Sequence, residues 1–294
     1  MQGLLLIDKP KGITSFSAVR KIKYLCSEKR VGHTGTLDPM ATGVLPIFIG
    51  KATALSSHLL DADKEYVARV RLGISTDSCD ITGNVIRENQ VNVTQQELLE
   101  VVNSFKGEIL QTPPMFSALK KDGVRLYELA RQGKEVEIEA RRVNISRIEL
   151  SDFDGTEFNI FVKCSKGTYI RSLCRDIGEK LSCGATMTEL RRIATSGFKI
   201  EECVSLDLLN EENIADYILN EEKAVENLRE ISVTQKQAQR FTCGGQLSFE
   251  RLKATFNEKD ELVRVKYNDV FLGLGRADFE NEELAIKCVI NSIK

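Results

Sequence analysis

The chain has 294 residues, 42% hydrophobic and 29% charged, with a formal net charge of −2. That is the make-up of a globular protein with room for one large and one small domain. Its longest apolar runs, such as Gly3-Leu4-Leu5-Leu6-Ile7, are too short to span a membrane, and the start shows no secretion signal. Eight cysteines without a Cys-x-x-Cys pair, and only two histidines, argue against a metal centre and read as reduced thiols of a cytoplasmic protein. The near-neutral total hides an uneven distribution. Residues 1–35 hold seven basic against two acidic side chains, and residues 201–230 hold ten acidic against two basic. A basic face is the electrostatic footprint of a polyanion.

Gly3 to Asp8 reads as a strand, followed by the turn Lys9-Pro10-Lys11-Gly12. Ser15 or Ser17 can cap a helix running to about Lys29, with Val19, Ile22 and Leu25 on one stripe and basic residues, Arg20 and Lys21 among them, opposite. The next segment, Gly32-His33-Thr34-Gly35-Thr36-Leu37-Asp38-Pro39-Met40-Ala41-Thr42-Gly43-Val44-Leu45-Pro46, frames one acid with glycines, prolines and threonines. Pro39 fixes its own φ and pushes Asp38 toward an extended conformation, so the loop is shaped to present that carboxylate. A carboxylate held this way can act as a nucleophile or a base.

Val44–Gly50 then predicts a strand, Ala52–Leu60 a helix, and the alternation from Tyr66 a further strand before a polar loop over 75–83. Thr94-Gln95-Gln96-Glu97 is a capping box opening a helix to about Phe105. The Pro-bounded stretch 113–142 carries seven basic residues, including Lys120, Lys121 and Arg141, and a short helix from Arg125. Val143–Leu150 and Glu157–Cys164 predict adjacent strands. Gly167 breaks the second, Thr168 can cap, and the helix from Tyr169 places Arg171 in its first turn. A positive charge there opposes the helix dipole, a cost offset by an acidic or phosphate partner. The acidic stretch 201–230 predicts helices or a connector around the domain boundary. From Ile231, short alternating strands with glycine turns suggest a β-barrel of roughly 60 residues, near the lower limit of independent folding.

The string from Gly32 to Pro46 resembles the catalytic-aspartate segment of the TruB family of pseudouridine synthases. Gly3 to Ser15 is similar to that family's opening motif, Lys64-Glu65-Tyr66 to its second, and Ser165-Lys166-Gly167-Thr168-Tyr169-Ile170-Arg171 to its third. The resemblance implies an α+β fold: a catalytic domain (1–230) with a mixed, largely antiparallel sheet and flanking helices, an RNA-clamping insertion near 113–142, and a PUA-like barrel (231–294). It implies Asp38 as the catalytic aspartate, Arg171 as its partner, Tyr66 against the uracil and Leu190 as the apolar pocket wall. His33 would fill the gap left by a flipped base, while Arg20, Lys21, Lys120, Lys121 and Arg141 would hold RNA. The opening motif is expected to pack behind the catalytic loop as a structural element. The implied reaction is conversion of uridine 55 in the T loop of tRNA to pseudouridine. No cofactor, metal, guide RNA or protein partner is expected, and the protein would act as a monomer. Two rival readings share these motifs: the guide-RNA-dependent subunit of a ribonucleoprotein, and an RNA-folding factor without turnover.

Overall fold

The computed structural model describes residues 1–60, 62–121, 123–134 and 136–293. In chain order, the first half comprises β1 (Gly3–Lys9), α1 (Ser15–Leu25), β2 (Val31–His33), β3 (Thr42–Ile49), β4 (Lys64–Leu72), β5 (Ile74–Thr76), β6 (Val85–Glu88), α2 (Gln95–Asn103), β7 (Gly107–Gln111), β8 (Lys120–Lys121), β9 (Val124–Arg125) and α3 (Leu126–Arg131). The second half comprises β10 (Arg141–Ser151), β11 (Glu157–Cys164), α4 (Ile170–Lys180), β12 (Ala185–Thr195), β13 (Phe198–Lys199), β14 (Val204–Ser205), β15 (Arg229–Ser232), α5 (Gln235–Thr242), β16 (Leu247–Ser248), α6 (Phe249–Leu252), β17 (Leu262–Tyr267), β18 (Val270–Asp278) and β19 (Glu283–Val289).

Ten strands form one sheet in the order β14-β1-β3-β12-β4-β11-β10-β7, with β2 on β3 and β13 on β12. Only β1–β14 and β3–β12 pair in parallel, so the sheet is mixed and largely antiparallel. The alternation from Tyr66 explains its two faces. Tyr66, Ala68, Val70 and Leu72 turn inward, while Val67, Arg69 and Arg71 turn out. The inward set meets α2 and α4 in one core with Phe158, Ile160, Leu173 and Ile177. α1 seals a second core against Leu5, Ile7, Leu45 and Ile47.

Residues 229–289 build a separate five-stranded sheet, β15-β17-β18-β19-β16, curled into the PUA-like unit of an α+β protein. It is not loosely tethered. Phe271, Leu274 and Ile290 share a core with Leu4, Phe48 and Leu55 of the larger unit, and Asn291 donates to Glu221 while accepting from Gln2.

Several local expectations shift. Thr14, not Ser15 or Ser17, caps α1: its Oγ1 accepts from the Ser17 amide at 3.0 Å. α1 stops at Leu25 because Ser27 adopts a left-handed backbone, φ 49°. Residues 50–59 form a 3₁₀ helix. Thr168 does not cap α4; its hydroxyl donates back to the Ser165 carbonyl at 2.9 Å, and Tyr169 takes the capping position without a side-chain bond.

Candidate active site

The loop between β2 and β3 carries Asp38 and is pinned from several sides. Ser15, the first residue of α1, donates through its hydroxyl to the Leu37 carbonyl and accepts from the Leu37 amide at 2.9 Å. Gly12 donates its amide to the Pro39 carbonyl at 2.8 Å. Lys9 is fully buried and its ammonium donates to the carbonyls of Pro10 and Ile13 at 2.8 Å and of Pro39 at 3.4 Å. Burial pulls Lys9 down from 10.5 to about 8, against the opposing pull of Asp38. On the far side Arg192, also fully buried, donates to the carbonyls of Gly35 and Val44 at 3.0 and 2.8 Å. Gly43 lets β3 lie against Arg192: a Cβ there would stand 2.1 Å from the Arg192 carbonyl oxygen.

Arg171, in the first turn of α4, reaches this loop. Its Nη2 donates to Asp38 Oδ1 at 3.2 Å, and its Nε lies 2.9 Å from Oδ2, off the line of a straight hydrogen bond. The remaining donors hold the guanidinium still. Nη2 also meets the Phe116 carbonyl at 2.9 Å, Nη1 meets the Ser78 carbonyl at 3.2 Å, and Asp80 stands 3.7 Å from Nη1. The Arg171 side chain is 6% exposed and that of Asp38 35%, so the carboxylate is the end of the pair open to a substrate. This is the acidic partner that offsets the dipole cost.

An opposite charge is expected to lower the Asp38 pKa. The net direction is instead upward: burial outweighs Arg171, Asp80 adds repulsion, and Lys9 pulls weakly the other way.

Tyr66 is buried, in register opposite Arg192 across β4–β12, and its phenol is pushed up by burial despite that neighbouring charge. Leu190 pairs with Ala68 in the same ladder. It helps line a cavity of about 450 Å³ with Lys11, Met40, Val67, Arg69 and Arg191. Asp38 lies outside that lining, two residues from Met40. Among the described residues, five buried side-chain polar atoms make no hydrogen bond within the chain: His33 Nδ1, Thr34 Oγ1, Ser117 Oγ, Arg192 Nη1 and Arg171 Nε, the last held only by its ion pair with Asp38. All belong to the Asp38 loop or to residues bonded to it or beside its partners. A buried polar atom without a hydrogen bond costs about 1–3 kcal/mol, and these five cluster around the Asp38 loop and its partners.

Two family models match contiguous stretches. The TruB family pseudouridylate synthase (N terminal domain) matches residues 23–170, and the tRNA pseudouridylate synthase B C-terminal domain matches residues 171–231. The chain belongs to the TruB family of pseudouridine synthases. It is 46% identical over 277 residues to the tRNA pseudouridine synthase B of Clostridium tetani (strain Massachusetts / E88), covering 94% of this chain and 96% of the relative. It is 45% identical over 293 residues to that of Clostridium perfringens (strain 13 / Type A), covering 98% and 100%. Among solved structures, a chain of an H/ACA RNP bound to a substrate RNA containing 2′-deoxyuridine superposes with a TM-score of 0.74 at 28% identity, over 99% of this chain and 85% of that one. A chain of the archaeal box H/ACA sRNP Nop10-Cbf5 complex gives 0.72 at 28% identity, over 99% and 86%. The TruB-family chain is therefore a pseudouridine synthase, an isomerase.

The fold gathers Asp38, Arg171 and Tyr66 around one loop of this synthase and sets Leu190 beside it. His33 closes β2, half-buried, with its pKa lowered by burial and by Arg192. The expected RNA contacts lie elsewhere. Arg20 and Lys120 are exposed and unpaired among the described residues. Lys121 donates to the Glu137 carbonyl at 2.7 Å, and Arg141 stacks 5.7 Å above the Tyr169 ring. Lys21 donates through its ammonium to the Leu206 carbonyl at 2.8 Å and stands 3.8 Å from Asp207, so the acidic stretch behind α1 engages it. The root of the 113–142 segment is pinned over α4, where Ser172 and Arg175 donate to the Thr112 carbonyl at 2.8 and 3.1 Å.

Sequence reasoning missed Asp80, Lys9 and Arg192 as parts of the site. Asp80 sits in a loop read only as polar. Its carboxylate accepts from Ser78 Oγ, the Thr82 amide and Thr82 Oγ1. An acid among closely spaced hydroxyl residues was the available signal. Lys9 and Arg192 carried none: Lys9 ends the apolar strand β1 beside Asp8 in a stretch read as a turn, and Arg192 stands next to Arg191 in the mixed strand β12.

Proposed function

We propose that this pseudouridine synthase acts on tRNA, converting uridine 55 of the T loop to pseudouridine, as a cytoplasmic monomer that needs no guide RNA and no protein partner. The single observation that supports this reading most is the Arg171-held Asp38 carboxylate at the open end of a buried ion pair, in a chain 46% identical to a tRNA pseudouridine synthase B over nearly its full length.

The reaction breaks the bond from N1 of uracil to C1′ of the ribose, turns the base, and joins C5 to C1′. C5 gives up its proton and N1 gains one, so no redox step or group donor enters. A uridine inside a folded loop must leave the stack, at a cost of a few kcal/mol. His33 fills the space it leaves. Asp38 acts as the nucleophile and must be ionised. Arg171 holds it in orientation through a planar fork that lysine lacks. Tyr66 stacks on the uracil and helps move the C5 proton, and Leu190 keeps water from the cleaved base. Lys120, Lys121, Arg141, Arg20 and Lys21 hold phosphates, which positions the RNA without reading its sequence. Residues 1–230 form the catalytic domain, with its RNA clamp at 113–142, and residues 231–294 a further RNA-binding unit.

Tritium release from a tRNA transcript labelled at C5 of uridine tests the reading, with wild type and Asp38→Asn compared. Stoichiometric release by the wild type alone, with the variant still binding tRNA, is the expected result. Release only after a guide RNA or partner is added would favour the ribonucleoprotein reading. Binding without release in either protein would favour an RNA-folding factor.

A further inference from the structure

α1 presents two faces. Ser15, Ala18, Val19 and Ile22 are buried. On the opposite side Phe16, Arg20 and Tyr24 follow one another at i, i+4 and i+8, a stripe about 12 Å long at the rise of an α-helix. Phe16 is 64% exposed and Tyr24 72%, the two most exposed aromatic side chains among the described residues. Neither stacks on another ring of the described chain. Arg20 between them is exposed and makes no ion pair among the described residues, whereas Lys21 on the flank is engaged by Leu206 and Asp207. Single exposed apolar residues are ordinary; two large aromatics bracketing an unpaired arginine on one stripe are not.

The stripe begins at the catalytic loop. Ser15, immediately before Phe16, exchanges two hydrogen bonds with Leu37, the neighbour of Asp38. Residues 1–35 carry an excess of five positive charges, so the occupant this face favours is a polyanion that also has flat apolar rings.

We propose that Phe16, Arg20 and Tyr24 form a stacking track for the RNA strand that leaves the catalytic cleft, with unpaired bases on the two rings and a phosphate on Arg20 between them. This rests on the tRNA reading above and extends it with a contact surface outside the reacting centre. Base–aromatic stacking tolerates any base, so the track would hold the strand without selecting sequence.

The test compares the full-length wild type with Phe16→Ser/Tyr24→Ser and with Arg20→Gln. Kd for a tRNA transcript is measured across a salt series, with KM and kcat for tritium release. The aromatic double variant is expected to raise Kd and KM about tenfold or more and to leave the slope of log K against log salt unchanged. Arg20→Gln is expected to flatten that slope by about 0.7. An aromatic double variant that binds tRNA like the wild type overturns the track. So does one that binds normally but sediments at a different mass, which would make the stripe a contact between copies of the chain. A wild type that neither binds nor isomerises tRNA overturns the substrate reading and the track with it; an active wild type beside an unaffected double variant overturns the track alone.

Discussion

Arg171 and Asp38, 133 residues apart in sequence, meet through Nη2–Oδ1 at 3.2 Å and Nε–Oδ2 at 2.9 Å, with the guanidinium sealed from solvent and the carboxylate partly buried, about a third of its surface left open. The arrangement keeps a carboxylate aimed without neutralising it, because Asp80 shares the same guanidinium.

The pH dependence of the reaction follows from that geometry. As the proposed nucleophile Asp38 acts in its ionised form, and burial raises its pKa above the ordinary value of about 3.9. Activity should therefore fail, as pH drops, at a higher pH than an exposed aspartate would give. A single-turnover rate profile reads this directly. An acid limb at or below pH 4 would show that Arg171 outweighs burial.

Changes to the two neighbours of Asp38 should move that limb in opposite directions. Arg171→Met removes the largest opposing charge, so the limb rises. It also leaves two acids facing an apolar group, and stability should fall by about 3–5 kcal/mol. Asp80→Asn removes a like charge, so the limb falls, while the loss of an anchor for Arg171 lowers the plateau rate by up to about a hundredfold, on the order of a 1 Å misplacement. Rate profiles of the two variants moving the same way would break the account.

Gly43 carries the parallel join of β3 to β12. Its φ is 108° and an added Cβ would stand 2.1 Å from the Arg192 carbonyl oxygen and 2.8 Å from its amide nitrogen. Gly43→Ala should cost roughly 3–5 kcal/mol, in the range of strongly disruptive substitutions, and lower Tm by on the order of 10 °C. Gly107→Ala is the comparison. Its φ is 101° but nothing lies within 4 Å of the added atom, so only the backbone cost of about 1–2 kcal/mol applies. Calorimetry of the two variants separates crowding from conformation, and equal losses would contradict the close approach.

Lys9 offers a stability test in alkali. Its pKa is about 8 when folded and 10.5 ordinarily. Between those values the unfolded chain binds the extra proton, so this residue makes stability rise with pH across that window. Urea unfolding of wild type and Lys9→Met at pH 7 and pH 10 should show a gap that shifts in favour of the wild type at pH 10. A constant gap would mean that Lys9 titrates normally. At pH 7 the variant should already be weaker, because it strips three carbonyls, Pro39 among them, of their donor.

Much of the molecule was legible along the chain because the relevant signals are local. The Thr94–Glu97 capping box forms as read, since a cap and its partner are one turn apart. β4 alternates as its side chains do, since successive residues of a strand face opposite ways. The rigid frame around Asp38 follows from the backbone limits of glycine and proline. The end of α1 was misjudged because its helical pattern runs on past Ser27, whose left-handed backbone is not written in its residue type.

The sequence by itself determined the aspartate loop, the strands that flank it, the basic first helix and the family to which these belong, because each rests on residues adjacent in the chain. Only the tertiary structure decided that Asp80 shares Arg171 with Asp38, that Lys9 and Arg192 clamp the loop from behind, and that Lys21 is engaged by Asp207 while Arg20 makes no ion pair among the described residues. Those contacts join residues far apart in sequence. The sign of the Asp38 shift belongs with them, since it depends on how deeply packing buries the carboxylate, a property no single residue carries.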